Sequence, residues 1–225
     1  MLASTKWETP VVISHSGVAG PSVLILGGVH GDEPGAQQAA EIVAGWRPLA
    51  GSLLVIPRTN ALAIKAGKRT LSELGDLNRL YPGDPKGTPM ARMAAAIIDL
   101  AREFHVQVLY DMHESWSFYT GRAANGNAYL GQTVSSGLGP ETASIAKALA
   151  ARVNPKITVL RDRMSARLEV PAESAKTTNS LGIGKYVPDL TAVLVEMGQE
   201  RQEVSRRVDL HLLVLRTFLE SRGML

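Results

Sequence analysis

Cysteine is absent from this chain of 225 residues. That excludes disulfides, thiolate zinc sites and a cysteine nucleophile, and it fits a reducing compartment. Long apolar runs are missing too. None approaches membrane-spanning length, and Met1 to Pro10 holds no apolar core of signal-peptide length. A cytoplasmic protein with no membrane partner is expected. Charge of one sign is scarce, the formal excess being +3. Arg201, Arg206, Arg207 and Arg216 interleave with Glu200, Glu203, Asp209 and Glu220 as on a solvated helix face, so nothing favours nucleic-acid binding. Repeats, low-complexity tracts and obvious linkers are lacking, and so is a G-x-G-x-x-G phosphate fingerprint. What is left, with 45% hydrophobic residues, is an ordinary globular composition. It is long enough to bury one core, and a single domain over residues 1–225 is expected. Self-association is left open.

The chain is organised around Val23 to Gly35, where a branched aliphatic run stops at Gly27-Gly28 and is followed by His30, Glu33 and Pro34. The run reads as a buried strand from Val23 to Val29. Glycines permit a sharp turn and a close approach, and Pro34 suits the first turn of a helix ending near Gly45. His30 and Glu33 then occupy the loop at the carboxyl end of a strand, the edge where open α/β sheets build their sites. Imidazole and carboxylate are ordinary zinc ligands, and a catalytic zinc commonly takes three from the protein.

Further strands are expected at Val11–Ser14, Gly51–Arg58, Val106–His113, Ile157–Leu160 and Leu190–Gly198. Helices are expected from Pro89, over Glu141–Val153 and over Gln202–Ser221. Thr59 to Leu80 reads as a functional loop with some short helix. Gly121 to Gly139 reads as a long loop or hairpin, and Arg161 to Pro188 as a polar surface loop with some helix. This alternation predicts an α/β fold with a mixed, mostly parallel central sheet flanked by helices. His15 and His105 lie at the wrong strand ends, and His211 falls within a helical apolar stripe, so none is assigned a role. Three strands instead end alike, in His30, in Asp111 and His113, and in Glu196. If they run parallel, His30, Glu33 and His113 form a two-histidine, one-carboxylate set with an open coordination position. Glu196 is then a spare carboxylate placed to take a proton from water.

The motifs as a set carry a resemblance. His30-Gly-Asp-Glu33 after Gly27-Gly28, Asp76-Leu-Asn-Arg79 before Tyr81-Pro-Gly, Asp111-Met-His113 and Glu196-x-Gly198 resemble the zinc carboxypeptidase superfamily. They are most similar to its succinylglutamate desuccinylase/aspartoacylase branch. The resemblance implies one Zn2+ per chain, held by His30, Glu33 and His113, and Glu196 as the general base that activates water and later protonates the leaving amine. It implies that Asp76 orients a ligand histidine and that Asn78 and Arg79 grip a substrate carboxylate, a task suited to the planar guanidinium fork. Arg69 is the counterpart of the arginine that stabilises the oxyanion, with Lys68 or Arg58 as substitutes. Loops 117–139 and 163–188 are expected to line the pocket, with Tyr119, Tyr129 or Tyr186 as contacts. Members of this branch often carry a C-terminal β-rich domain, and none is expected here. The implied activity is removal of an acyl group from an N-acyl amino acid or related carboxylate-bearing substrate. A small metallocarboxypeptidase acting on peptide C-termini is the alternative, and a non-catalytic carboxylate-binding module a third.

Overall fold

The computed structural model describes residues 1–120, 129–168 and 178–225. In chain order its elements are β1 (Val12–His15), β2 (Ser22–Leu26), α1 (Pro34–Val43), β3 (Ser52–Ile56), α2 (Ala61–Ala66), α3 (Pro89–Glu103), β4 (Val108–Ser115), β5 (Thr133–Ser136), α4 (Ile145–Val153), β6 (Ser165–Leu168), β7 (Thr191–Gly198) and α5 (Val204–Glu220). Short 3-10 turns form at Leu77–Arg79 and Ser180–Lys185. The strands make one sheet in the order β1-β3-β2-β4-β7-β5-β6. Its centre, β3-β2-β4-β7, is parallel. β1 and β5 join it antiparallel, and β6 runs parallel to β5. The expected mixed, mostly parallel sheet is present.

Helices cover both faces, so the central strands need apolar side chains in both directions. Val23 and Ile25 of β2 pack with α1, α4 and α5, while Leu24 and Leu26 pack with α3 and the Ser180–Lys185 turn. The same alternation sorts β4 and β7. Val108, Tyr110 and Met112 join Val193, Val195 and Met197 on the first face, whereas Leu109, Ala192 and Leu194 take the second. Asp111, His113 and Glu196 continue the second set by the period of two. In register, His113 lies directly opposite Glu196. Both sit two residues inside their strands rather than at the ends, because β4 and β7 run on to Ser115 and Gly198.

Local sequence explains the flanking elements. Pro34 opens α1, whose Ala36, Ala39, Ala40 and Val43 form the buried stripe. A Cβ at Gly27 would come within 2.3 Å of the Ala40 Cβ, so only glycine lets this helix lie so close to the end of β2. α3 begins with Thr88, whose hydroxyl accepts from Ala91 N, and with Pro89 in the first turn. Among the described residues no helix is long and apolar enough to cross a membrane.

Three expectations need correcting. Ile157 to Leu160 is not a strand: Pro155 lies in a 3-10 turn just before it, only Ile157 is buried, and Val159 and Leu160 face solvent. The strand in this region is β6, an exposed edge of only four residues. β5 lies within the stretch expected as loop or hairpin. It is fully buried although three of its four residues carry hydroxyls, and two of these satisfy themselves locally, Thr133 on Leu130 O and Ser136 on Thr142 O. Arg207 is not on a solvated face. It is buried on α5 and donates to the carboxylate of Glu114, itself buried at the end of β4.

Breaking that pair should cost about 3–5 kcal/mol of unfolding free energy in R207M, because Glu114 is left buried and unpaired. The double variant E114L/R207M should recover most of it in denaturant titrations. His211 is fully buried on α5, and burial pushes its pKa down from 6.5 to about 3. A depressed folded value means that protons bind the unfolded chain preferentially, so stability falls as pH drops below 6.5. Wild type should therefore lose about 2 kcal/mol more than H211L between pH 7 and pH 5, measured by urea unfolding.

Candidate active site

His30, Glu33 and His113 meet beyond the carboxyl ends of the parallel strands. His30 and Glu33 come from the β2–α1 loop, Glu33 immediately preceding α1, and His113 comes from β4. All three are at most 3% exposed, and the nearest ligand atoms of the three lie within 4.8 Å of one another. The imidazole ring centroids of His30 and His113 are 4.8 Å apart. Glu33 joins them: Oε1 lies 2.6 Å from His30 Nδ1, and Oε2 lies 2.9 Å from His113 Nδ1. Oε2 also accepts from Glu114 N at 3.0 Å.

The loop that carries His30 is tied down from behind. Gly31 N donates to the carbonyls of Lys68 and Arg69. A Cβ at Gly31 would sit 2.1 Å from the carbonyl carbon of Ala63 in α2. The absence of a side chain is what allows this contact.

Each imidazole has a second carboxylate at its far nitrogen. Asp76 Oδ1 stands 3.2 Å from His30 Nε2, and Asp111 Oδ2 stands 3.0 Å from His113 Nε2. Asp76 thus occupies the orienting position expected of it, and Asp111 does the same for the second ring. No role for Asp111 is read from sequence, although its spacing of two from His113 on a strand is the signal that puts both on one face. Against the pull of burial, Glu33 and Asp76 raise the pKa of His30, while Asp111 and Glu33 raise that of His113 well above its ordinary value. The same contacts, with burial opposing, hold Glu33 and Asp76 well below the usual carboxylate range.

Arg69 is the expected oxyanion arginine that lines the cleft. It is about half exposed, 3.3 Å from Asp76 and 3.7 Å from Glu33. Arg58 pairs with Glu41 on α1 instead, and Lys68 is exposed outside the cleft. Arg79 is exposed at the cleft and donates to its neighbour's carbonyl, Asn78 O. Asn78 is buried, and its amide is engaged: Nδ2 is 3.1 Å from His113 Nε2, and Oδ1 accepts from Ser180 N at 2.8 Å. Both residues line the cleft, Asn78 buried against His113 and Arg79 exposed.

Glu196 is buried beside His113 with Oε2 unpartnered. Burial pushes its carboxyl up to about 7, with His113 pulling the other way. The cleft over these groups measures about 740 Å³. Trp116 and Tyr129 line it and remain well exposed. Of the three expected tyrosines only Tyr129 lines the cleft, since Tyr186 packs on the α3-side core and Tyr119 stacks with Arg167. Residues 121–128 and 169–177 of the expected pocket loops lie outside the described residues.

This donor set suits a divalent cation. Both nitrogens of each imidazole lie near carboxylate oxygens, which favours positive charge at this spot. His30, Glu33 and His113 would hold a divalent cation, which would supply that charge.

Known proteins agree with this arrangement. The model of the succinylglutamate desuccinylase/aspartoacylase catalytic domain matches residues 19–119. An N-alpha-acetyl-L-2,4-diaminobutyric acid deacetylase of Halomonas elongata is 36% identical over 89 residues, 38% of this chain and 26% of that protein. A succinylglutamate desuccinylase of Burkholderia orbicola is 44% identical over 78 residues, 32% of this chain and 22% of its own length. The crystal structure of apo cell shape determinant protein Csd4 from Helicobacter pylori superposes with a TM-score of 0.81 at 17% identity, covering 97% of this chain and 55% of that one. Another structure of the same protein, bound to mDAP, describes it as a D,L-carboxypeptidase. The chain thus spans little more than half of that solved structure, and its alignments span about a quarter of the two curated enzymes. His30, Glu33, Asp76, Asn78, Arg79 and His113 all fall inside the matched stretch, and Glu196 lies beyond it on the shared sheet. Residues 19–119 are therefore similar to the succinylglutamate desuccinylase/aspartoacylase catalytic domain, and the motifs that carry the resemblance lie at the cleft.

Proposed function

We propose that the protein is a zinc-dependent amide hydrolase that removes the acyl group from an N-acyl amino acid or a related carboxylate-bearing substrate. The observation that carries this reading is the buried meeting of His30, Glu33 and His113 with an unpartnered carboxylate, Glu196, beside them. His30, Glu33 and His113 would hold the ion; when bound, zinc supplies a Lewis acid that acidifies water and polarises a carbonyl.

The chain's own groups do the rest. Glu196 takes a proton from the attacking water and delivers it to the amide nitrogen as the carbon–nitrogen bond breaks. A carboxyl pushed by burial to about 7 suits both halves of that task at neutral pH. Arg69 faces the developing oxyanion, and Arg79 anchors a substrate carboxylate through its planar fork. Asp76 and Asp111 fix ring angle and tautomer.

A second reading, hydrolysis of peptide C-termini, draws support from the long structural match to Csd4 and from a cleft whose exposed rim aromatics leave room for a longer ligand. Zinc-loaded protein assayed on N-acyl amino acids and on short peptides with free C-termini separates the two. A bound ligand without turnover on either set would mean a carboxylate-binding module instead.

Metal analysis should find one zinc per chain, and H113A should lose it. D111N should keep zinc with about 10–100-fold weaker affinity in chelator competition. E196Q should retain zinc while turnover drops about 10²–10⁴-fold. Full turnover in E196Q would place the proton acceptor elsewhere.

A further inference from the structure

The cleft has an inner end that the chemistry above does not use. Ser135 of β5 lies opposite Leu194 of β7, while Thr133 lies opposite Glu196. Val134 belongs to the core on the other face, so Ser135 and Leu194 point the same way as Glu196 and floor the cleft one step below it. Asn179 and Leu181 wall this end. They are held in place by Leu138 N donating to Leu181 O, and by Ser180 N donating to Asn78 Oδ1, each at 2.8 Å.

Ser135 is 1% exposed, and its hydroxyl has no hydrogen-bond partner; the side-chain oxygen of Asn179 is buried and unpartnered as well. The neighbouring hydroxyls of Thr133 and Ser136, by contrast, are spent on backbone carbonyls. A polar atom buried without a partner is costly, and one facing a ligand cleft is explained by a ligand that completes it. Charge narrows the choice of ligand. Among the described residues of the cleft the cations are Arg69, held beside Asp76 and Glu33, and Arg79, which is exposed. Arg69 is engaged by Asp76 and Glu33, and Arg79 by Asn78 O; a substrate carboxylate on Ser135 would also lie on the same face as Glu196.

We propose that Ser135, with Asn179, forms a subsite for a small uncharged hydrogen-bonding group of the substrate, a hydroxyl or a carboxamide. The inference rests on the hydrolase reading and names its substrate class: acyl amino acids or peptide ends carrying a serine-, threonine- or asparagine-like group next to the scissile amide. Ser135 selects substrate through this contact and takes no part in bond breaking.

The test compares zinc-loaded wild type, S135A and S135D on a matched panel. Members vary in amino-acid side chain (serine, asparagine, alanine, glutamate, lysine) and in acyl group (acetyl, hydroxyacetyl, succinyl). Wild type should favour hydroxyl- or carboxamide-bearing members over their apolar matches by about tenfold in kcat/KM. S135A should remove that margin by lowering kcat/KM on the hydroxyl- and carboxamide-bearing members about tenfold, to the level of their apolar matches. S135D should shift preference toward lysine. Zinc content and unfolding midpoints confirm that each variant is folded. A wild-type preference for glutamate, succinyl, lysine or alanine members, or a margin that survives in S135A, overturns the subsite and leaves the hydrolase reading standing. No turnover on any member by zinc-loaded wild type overturns the hydrolase reading itself, and the subsite with it.

Discussion

One carboxylate holds the site together. Glu33 presents one oxygen to His30 and the other to His113 and the amide of Glu114. It thereby fastens the β2–α1 loop to β4, and it does so almost wholly out of water. Low dielectric makes such contacts strong when complete and expensive when broken. The flanking aspartates extend the pattern outward, so that negative and positive groups alternate from Asp76 through His30, Glu33 and His113 to Asp111. Two rings flanked by carboxylates form an arrangement that could hold a doubly charged ion.

The sheet provides the rigidity this requires. His113 and Glu196 are register partners on adjacent parallel strands, so their separation follows from strand spacing rather than from the setting of a loop. On the opposite face, the Arg207–Glu114 pair ties α5 to the end of the same strand, and Gln199 Nε2 reaches both Glu114 and the carbonyl of Asp32. The His30–Glu33–His113 cluster is therefore supported from both sides of the sheet.

Much of this was legible in the sequence where apolar patterning and turn residues coincide. Gly27-Gly28, the run before it and the apolar runs of β4 and β7 point to His30, Glu33, His113 and Glu196, and the structure brings these four together. What escaped has a physical explanation in each case. β5 lacks an apolar pattern because it buries hydroxyls, and β6 is an exposed edge of four residues, too short for its pattern to mark a strand. Arg207 and Glu114 lie far apart in the chain, and no periodicity reveals that a helix arginine turns inward to meet a strand carboxylate. Asn78 matches a substrate-gripping position by motif, yet the fold turns its amide toward His113 and Ser180. Local patterns report which face a residue occupies; they do not report which long-range partner reaches it first.

The Gly31 amide shares its hydrogen between the carbonyls of Lys68 and Arg69, and this joins two parts of the cleft that are distant in sequence. The backbone of Lys68 and Arg69 is thus the backbone that seats the loop of His30, with α2 packed close behind Gly31. On the proposed reading, a shift of the Arg69 segment would reach the His30 loop through this one amide.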